Sequence, residues 1–164
     1  MLELVGSALW FILPAYVANA TPVLAGGGRP LNGGKKFVDG QPLLGSGKTV
    51  RGFFAGLAAG SAVALIQGLL IGSCAWPLIG LMLALGALIG DLGGSFIKRR
   101  MRIPPGKPAP VLDQLDFVAG ALILASPLAA PSWGELAVVI ILTPALHLLA
   151  NAAAHIAGFK EHPW

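Results

Sequence analysis

The chain has 164 residues, of which 55% are apolar and only 11% charged, against the roughly 25% of an ordinary soluble domain. Its net charge of +4 rests on 11 Lys and Arg against 7 Asp and Glu. All of those cations lie in two polar segments and a short tail, which excludes a soluble globular enzyme and offers no basic face for nucleic acid.

The first apolar stretch, about residues 2–23, follows Met1-Leu2-Glu3 with no basic flank, which predicts a retained span rather than a cleaved signal. Further spans are predicted over about 52–73, 77–97, 113–130 and 135–157, each near the ~20 residues a bilayer core demands. The expected fold is all-α, a single membrane domain over 1–164 with five transmembrane helices. Arg29, Lys35, Lys36, Lys48 and Arg51 fall between the first two spans. Lys98, Arg99, Arg100, Arg102 and Lys107 fall between the third and fourth, and Lys160 follows the fifth. Five crossings put them all on one side, so the N-terminus is expected outside and the C-terminus in the cytoplasm. The long cytoplasmic loops are then about 24–51 and 98–112. Tight outer turns are expected around 72–77 and 131–134, with Trp76 and Trp133 at the headgroup level. The expected location is the cell membrane, multi-pass, with the bilayer as partner and polar chemistry facing the cytoplasm. Trp164 reads as an interface anchor, and the lone Cys74 as a packing residue.

Small residues recur within the spans: Gly56, Ala59, Gly60 and Ala64 in the second, Gly86 and Gly90 in the third. They predict close helix approach in the bundle, with a homodimer contact as the alternative use. Pro14 and Pro144 predict kinks whose freed carbonyls neighbours must satisfy.

The first cytoplasmic loop reads Gly26-Gly27-Gly28-Arg29-Pro30-Leu31-Asn32-Gly33-Gly34-Lys35-Lys36, then Asp39-Gly40, then Gly45-Ser46-Gly47-Lys48-Thr49-Val50-Arg51-Gly52. Consecutive N–H groups in such loops form anion-binding nests, and glycine with five cations and one carboxylate suggests a phosphate cradle. Service to lipid headgroups or topology is the alternative. Gly45 to Thr49 is not a Walker A loop: Pro42 stands where its first glycine belongs, and no α/β pattern surrounds it.

Asp91 lies inside the third span, and an intramembrane carboxylate is a functional hypothesis by default. Helical spacing places Asp91, Ser95 and Lys98 or Arg99 on one face. The alternative is an ion pair with an inner-loop cation. At the mouth of the fourth span, Asp113 and Asp116 share one side of the first turn, where acidic residues are also ordinary helix-start residues. Three carboxylates at one depth, facing the loop cations, point to a hard divalent metal. Mg²⁺ suits, because it shares its coordination with water and substrate phosphates. In the last span His147, Asn151 and His155 make one polar stripe, read as lining a substrate cavity or bonding between helices. Zinc lacks a third ligand there.

The run Gly90-Asp91-x-x-Gly94-Ser95-Phe96-x-Lys98-Arg99-Arg100, followed by Asp113-Gln114-Leu115-Asp116-Phe117, resembles the CDP-diacylglycerol synthase signature, Ser-x-x-Lys-Arg and then Asp-Arg-x-Asp. It is closer still to the short archaeal branch, the CDP-archaeol synthases, along nearly the whole chain. Asp39-Gly40, Gly45 to Gly52, and the terminal Gly158-x-Lys160-x-x-Pro163-Trp164 carry that likeness. Pro108-Ala109-Pro110 in place of His-Gly-Gly, a shorter connector, Gln114 in place of Arg and fewer N-terminal spans also favour the archaeal branch. The resemblance implies transfer of CMP from CTP to an ether lipid phosphate, 2,3-bis-O-geranylgeranylglycerol 1-phosphate, with pyrophosphate released. Implied roles are Mg²⁺ on Asp91, Asp113 and Asp116, and charge neutralisation by Lys48, Arg51, Lys98 and Arg99 during phosphoryl transfer. Asn32 and Asp39 would hold cytidine and ribose. Gly45, Gly47, Thr49, Ser95, Arg100 and Asn151 would complete the substrate site.

Two alternatives stand beside it. A CDP-alcohol phosphotransferase would need a second acidic pattern, Asp-x-x-x-Asp, that this chain lacks. A small transporter or channel could use Asp91 and the last-span polar stripe, although no internal repeat of the kind common in transporters is visible.

Overall fold

Five helices take up the apolar stretches: α1 (Leu2–Ala25), α2 (Val50–Ile71), α3 (Trp76–Arg100), α4 (Leu112–Ala125) and α5 (Trp133–Ile156). This computed structural model describes residues 1–104, 107–160 and 162. Trp164, read as an interface anchor, lies outside the described residues, as do Glu161 and Pro163 of the terminal motif.

Four of the helices, α1, α2, α3 and α5, are long and apolar enough to cross a membrane. Over the fourth predicted span, 113–130, the helix itself is shorter: α4 has 14 residues, which at ~1.5 Å per residue is about 21 Å. Pro127 ends it early, because it has no N–H to give to Ile123 O one turn back; Ser126, still helical in geometry, donates its Oγ to that carbonyl at 2.8 Å instead. The outer turn at 131–134 moves for a related reason. Ser132 is the N-cap of α5, exchanging bonds with Glu135, so Trp133 and Gly134 are already helical. Cys74, expected to pack, is exposed in the α2–α3 turn.

The bundle is apolar on the outside and small-residue on the inside. Leu69, Leu70, Ile141, Leu149 and Ile156 are exposed, as side chains facing lipid would be, whereas Ala8, Ala15, Ala84, Ala87, Ala121 and Ala125 are buried. α3 is the central helix and packs on α1, α2 and α4. A Cβ on Gly60 would come within 2.7 Å of both Ala84 Cβ and Pro14 O, so only glycine lets α2 approach α1 and α3 there. Gly56 sits against Ala18 of α1, Ala64 against Gly80 of α3, and Gly86 and Gly90 against α4. The small-residue faces that offered a dimer contact are thus occupied within the chain.

Pro14 removes the N–H that would bond Trp10 O, one turn earlier. Gln67, 2% exposed, repairs this: its Nε2 donates to Trp10 O at 2.8 Å, and its Oε1 accepts from Trp76 Nε1 at 3.1 Å. One amide on α2 therefore joins α1 and α3. Gln67→Leu leaves both partners unpaired and should destabilise the protein by about 1–3 kcal/mol, seen as a lower thermal midpoint in detergent. An unchanged midpoint would contradict the bridging role.

Candidate active site

The first loop is an ordered ribbon. Leu31 N donates to Lys48 O at 2.8 Å and Val50 N to Arg29 O at 3.0 Å; further out, Phe37 N donates to Gln41 O and Leu43 N to Lys35 O. The tip is clamped on the end of α3. Arg100 lies 4.8 Å from the Phe37 ring and 4.7 Å from the Phe96 ring, its Nε is 3.0 Å from Asp39 Oδ2, and it donates to Pro42 O. Stacking a guanidinium on two aromatic faces adds cation–π attraction to the ion pair.

The clamp fixes Gly45 to Thr49. Gly45 N–H donates to Ser95 Oγ at 2.9 Å, so this amide serves the loop rather than a nest for an anion. Thr49 caps α2, accepting from Gly52 N at 3.1 Å. Lys48, held between ribbon and cap, reaches α3 and donates to both oxygens of Asp91 at 2.6 and 2.5 Å. The second pair ties α3 to α4: Lys98 Nζ lies 2.9 and 2.8 Å from the two oxygens of Asp113. Asp113 is not a helix cap. Its Oδ2 accepts from Ala109 N, and α4 begins after Val111 at φ 68°. Asp116 lies directly against Gly94, where a Cβ would overlap its carboxylate.

These groups line one polar cavity of about 170 Å³, formed by Gly45, Ser46, Gly47, Lys48, Asp91, Ser95, Lys98, Arg99, Asp113 and Asp116. As the helical spacing predicts, Asp91, Ser95, Lys98 and Arg99 share it. Arg99 is 5% exposed and donates to Pro104 O; its Nε has no hydrogen-bond partner among the described residues. Three carboxylates and three cations face the same space. Among the described residues no three His, Cys, Asp or Glu form a metal-holding group; Lys48 and Lys98 stand at two of the carboxylates.

A second cavity, of about 1030 Å³, opens from the same place and is walled mainly by apolar residues of α1 and α5. Lys48, Asp91, Lys98 and Asp113 stand at its polar end, and Thr49, His147, Asn151 and Lys160 also line it. Asn151, 8% exposed, bonds His147 and accepts from Lys160 Nζ at 2.9 Å. His155, the third member of the predicted stripe, turns instead to Lys160 O at 2.9 Å.

Four predicted substrate residues do not reach either cavity. Asn32 bonds Lys35 O and Gly34 N within its own turn, Asp39 and Arg100 form the clamp, and Arg51 is exposed on α2. Sequence reasoning missed Ser46, Lys107, Tyr16 and Thr143. Tyr16 and Thr143, 2.7 Å apart, carried a signal, since two polar side chains inside apolar spans need a partner.

Helices with outward apolar faces around a charged cavity define a membrane-type helical bundle whose internal site suits anionic ligands. A family model described as CarS-like CDP-archaeol synthase matches residues 1–164. The CDP-archaeol synthase of Methanopyrus kandleri is 51% identical over 97% of this chain and 93% of its own length, and that of Thermococcus gammatolerans 49% identical over 96% and 95%. A solved structure of an intramembrane enzyme for archaeal membrane lipids biosynthesis superposes with a TM-score of 0.81 at 46% identity, covering 88% of this chain and 92% of the other. The chain belongs to the CDP-archaeol synthase family. Membership sets the transporter and phosphotransferase alternatives aside.

Gly94→Ala tests the geometry without touching a charged group. The added methyl would overlap the Asp116 carboxylate and come within 2.9 Å of its Cβ, so it must displace that side chain and ease α4 away from α3. Turnover should fall at least ~10-fold in protein that stays folded, with a thermal midpoint lowered by the overpacking. Full activity would remove Asp116 from the working site.

Proposed function

We propose that this chain transfers CMP from CTP to an archaeal ether lipid phosphate of the 2,3-bis-O-geranylgeranylglycerol 1-phosphate type, in membrane phospholipid biosynthesis. The observation that carries the site assignment is the polar cavity with its two ion pairs, opening directly into a large apolar one. A nucleotide triphosphate suits the first and prenyl chains suit the second. A lipid phosphate oxygen forms a bond to the α-phosphorus, the bond from that phosphorus to the bridging oxygen breaks, and pyrophosphate leaves with the electron pair. The attacking phosphate is already an anion, so no base is needed, and catalysis reduces to positioning and charge stabilisation.

The donor set fits Mg²⁺. Such an ion keeps several waters and takes only one or two carboxylates plus substrate phosphates, and three carboxylates line the polar cavity. Asp91, Asp113 and Asp116 would hold it, and it would neutralise the triphosphate and polarise the α-phosphate. In this reading Lys48–Asp91 and Lys98–Asp113 balance the site's own charges, and substrate would exchange the partners. Asp91, Asp113 and Asp116 would serve the cation, and Lys48, Lys98 and Arg99 would serve the phosphate oxygens. Every charge stays paired, so binding avoids the large penalty of an isolated buried ion.

The same reading takes the chain as crossing the membrane five times, with the N-terminus outside and the site facing the cytoplasm. All the Lys and Arg residues stand in or beside the loops at the site's end, which supports that orientation. For α4, the crossing is completed by the turn through Pro127 rather than by helix alone.

Asp113→Asn and Asp116→Asn should each lower label transfer from CTP into the lipid phase below ~1% of wild type, by analogy with the losses when a charge-stabilising group is removed. EDTA should stop the wild type, and Mg²⁺ should restore it. Near-normal transfer by a folded Asp113→Asn protein, or transfer indifferent to EDTA, would refute the metal assignment.

A further inference from the structure

Lys48 and Lys98 are each engaged by a carboxylate at the polar end, beside the glycine loop that the proposed function gives to CTP. The reaction brings a second phosphate, on the lipid, to the same junction from the apolar side. It needs its own cation at the depth where the apolar wall ends. Lys160 stands there. It lines the large cavity with Lys48 and Lys98, but it is borne by the turn after α5, on the α5 wall.

The turn is built to hold this side chain in place. Phe159 N donates to Ala154 O at 2.9 Å and Gly158 N to His155 O at 3.0 Å. His155 Nδ1 lies 2.9 Å from Lys160 O, and Lys160 Nζ donates to Asn151 Oδ1 at 2.9 Å. Asn151 in turn lies 3.2 Å from His147 Nδ1. A flexible lysine is thus aimed back over the helix that precedes it. Burial depresses its pKa and the neighbouring charges of Lys48 and Lys98 push the same way, with Asp113 opposing; an arriving phosphate dianion relieves both effects. Phe159 lines the cavity beside it, so the turn presents an apolar ring and an ammonium side by side, as a prenyl glycerol phosphate presents chain and head.

We infer that Lys160, aimed by Asn151 and His155, is the lipid-phosphate anchor of this enzyme. It acts as a positioning residue for the attacking substrate and takes no part in holding CTP. This rests on the cytidylyltransferase reading above.

The experiment is steady-state kinetics in mixed micelles, varying CTP and the ether lipid phosphate separately, for wild type, Lys160→Met and Lys160→Arg. Lys160→Met should raise KM for the lipid phosphate on the order of 10- to 100-fold, the loss expected for a charge-assisted bond, with KM for CTP within twofold of wild type. Lys160→Arg, which keeps the charge, should recover most of the lipid KM. Equal rises in both KM values, or a raised KM for CTP alone, would give Lys160 to the nucleotide and overturn the inference. An unchanged lipid KM would overturn it too, as would a Lys160→Arg protein as impaired as Lys160→Met. Should Lys160→Met unfold, the Lys160→Arg and Asn151→Asp proteins decide the matter. A carboxylate beside the ammonium must raise the lipid KM and spare that for CTP. A wild type that transfers no label would instead sink the activity itself.

Discussion

Charge placed at the edge of an apolar bundle must be paired, and here two ion pairs meet that demand while fixing the architecture. Lys48–Asp91 ties the end of the first loop to α3, and Lys98–Asp113 ties α3 to the start of α4. Both pairs are partly buried, so breaking either one leaves a poorly solvated charge. That makes them strict constraints on register. It also makes them easily exchanged for a ligand carrying the complementary charges. A divalent cation with a triphosphate is such a ligand. In the proposed function the fold would thus store its binding site as pairs of its own charges.

Close packing on the other side of α3 makes this possible. Gly86, Gly90 and Gly94 let α4 lie against α3 with almost no gap, which brings Asp116 to the depth of Asp91 and Asp113. With larger residues there α4 would stand off, and the acidic cluster would not form. α5 packs on α1 and only lightly on α4, so the bundle is tight where charge is handled and open where lipid chains must fit. The Arg100 clamp extends the same logic to the loop, anchoring a glycine-rich ribbon whose own sequence favours many conformations.

Much of this was legible in the residues. The absence of Lys and Arg from five stretches marked the helices, and an Asp inside the third marked the site. The spacing of Asp91, Ser95, Lys98 and Arg99 put them on one face because a helix fixes its side-chain directions locally. The rest depended on contacts that spacing does not encode. Asn32, Asp39 and Arg100 look like ligand residues in a glycine-rich loop, yet they hold the loop together, since the ribbon pairing that decides their direction joins residues far apart in sequence. The early end of α4 at Pro127 is masked in the sequence by the apolar run that continues past it. Lys160 stood alone in the sequence, and only the turn back along α5 brings it to the cavity.

In the proposed function the three carboxylates would receive a metal that comes with CTP, and Lys48 and Lys98 would change partners. The most direct measurement is an anomalous diffraction map of crystals grown with CTP and Mn²⁺. The account predicts a peak coordinated by at least one of Asp91, Asp113 and Asp116 and by triphosphate oxygens, with both lysines turned to phosphate. A triphosphate bound away from these residues, or one bound while both ion pairs stay intact with no metal beside them, would contradict it.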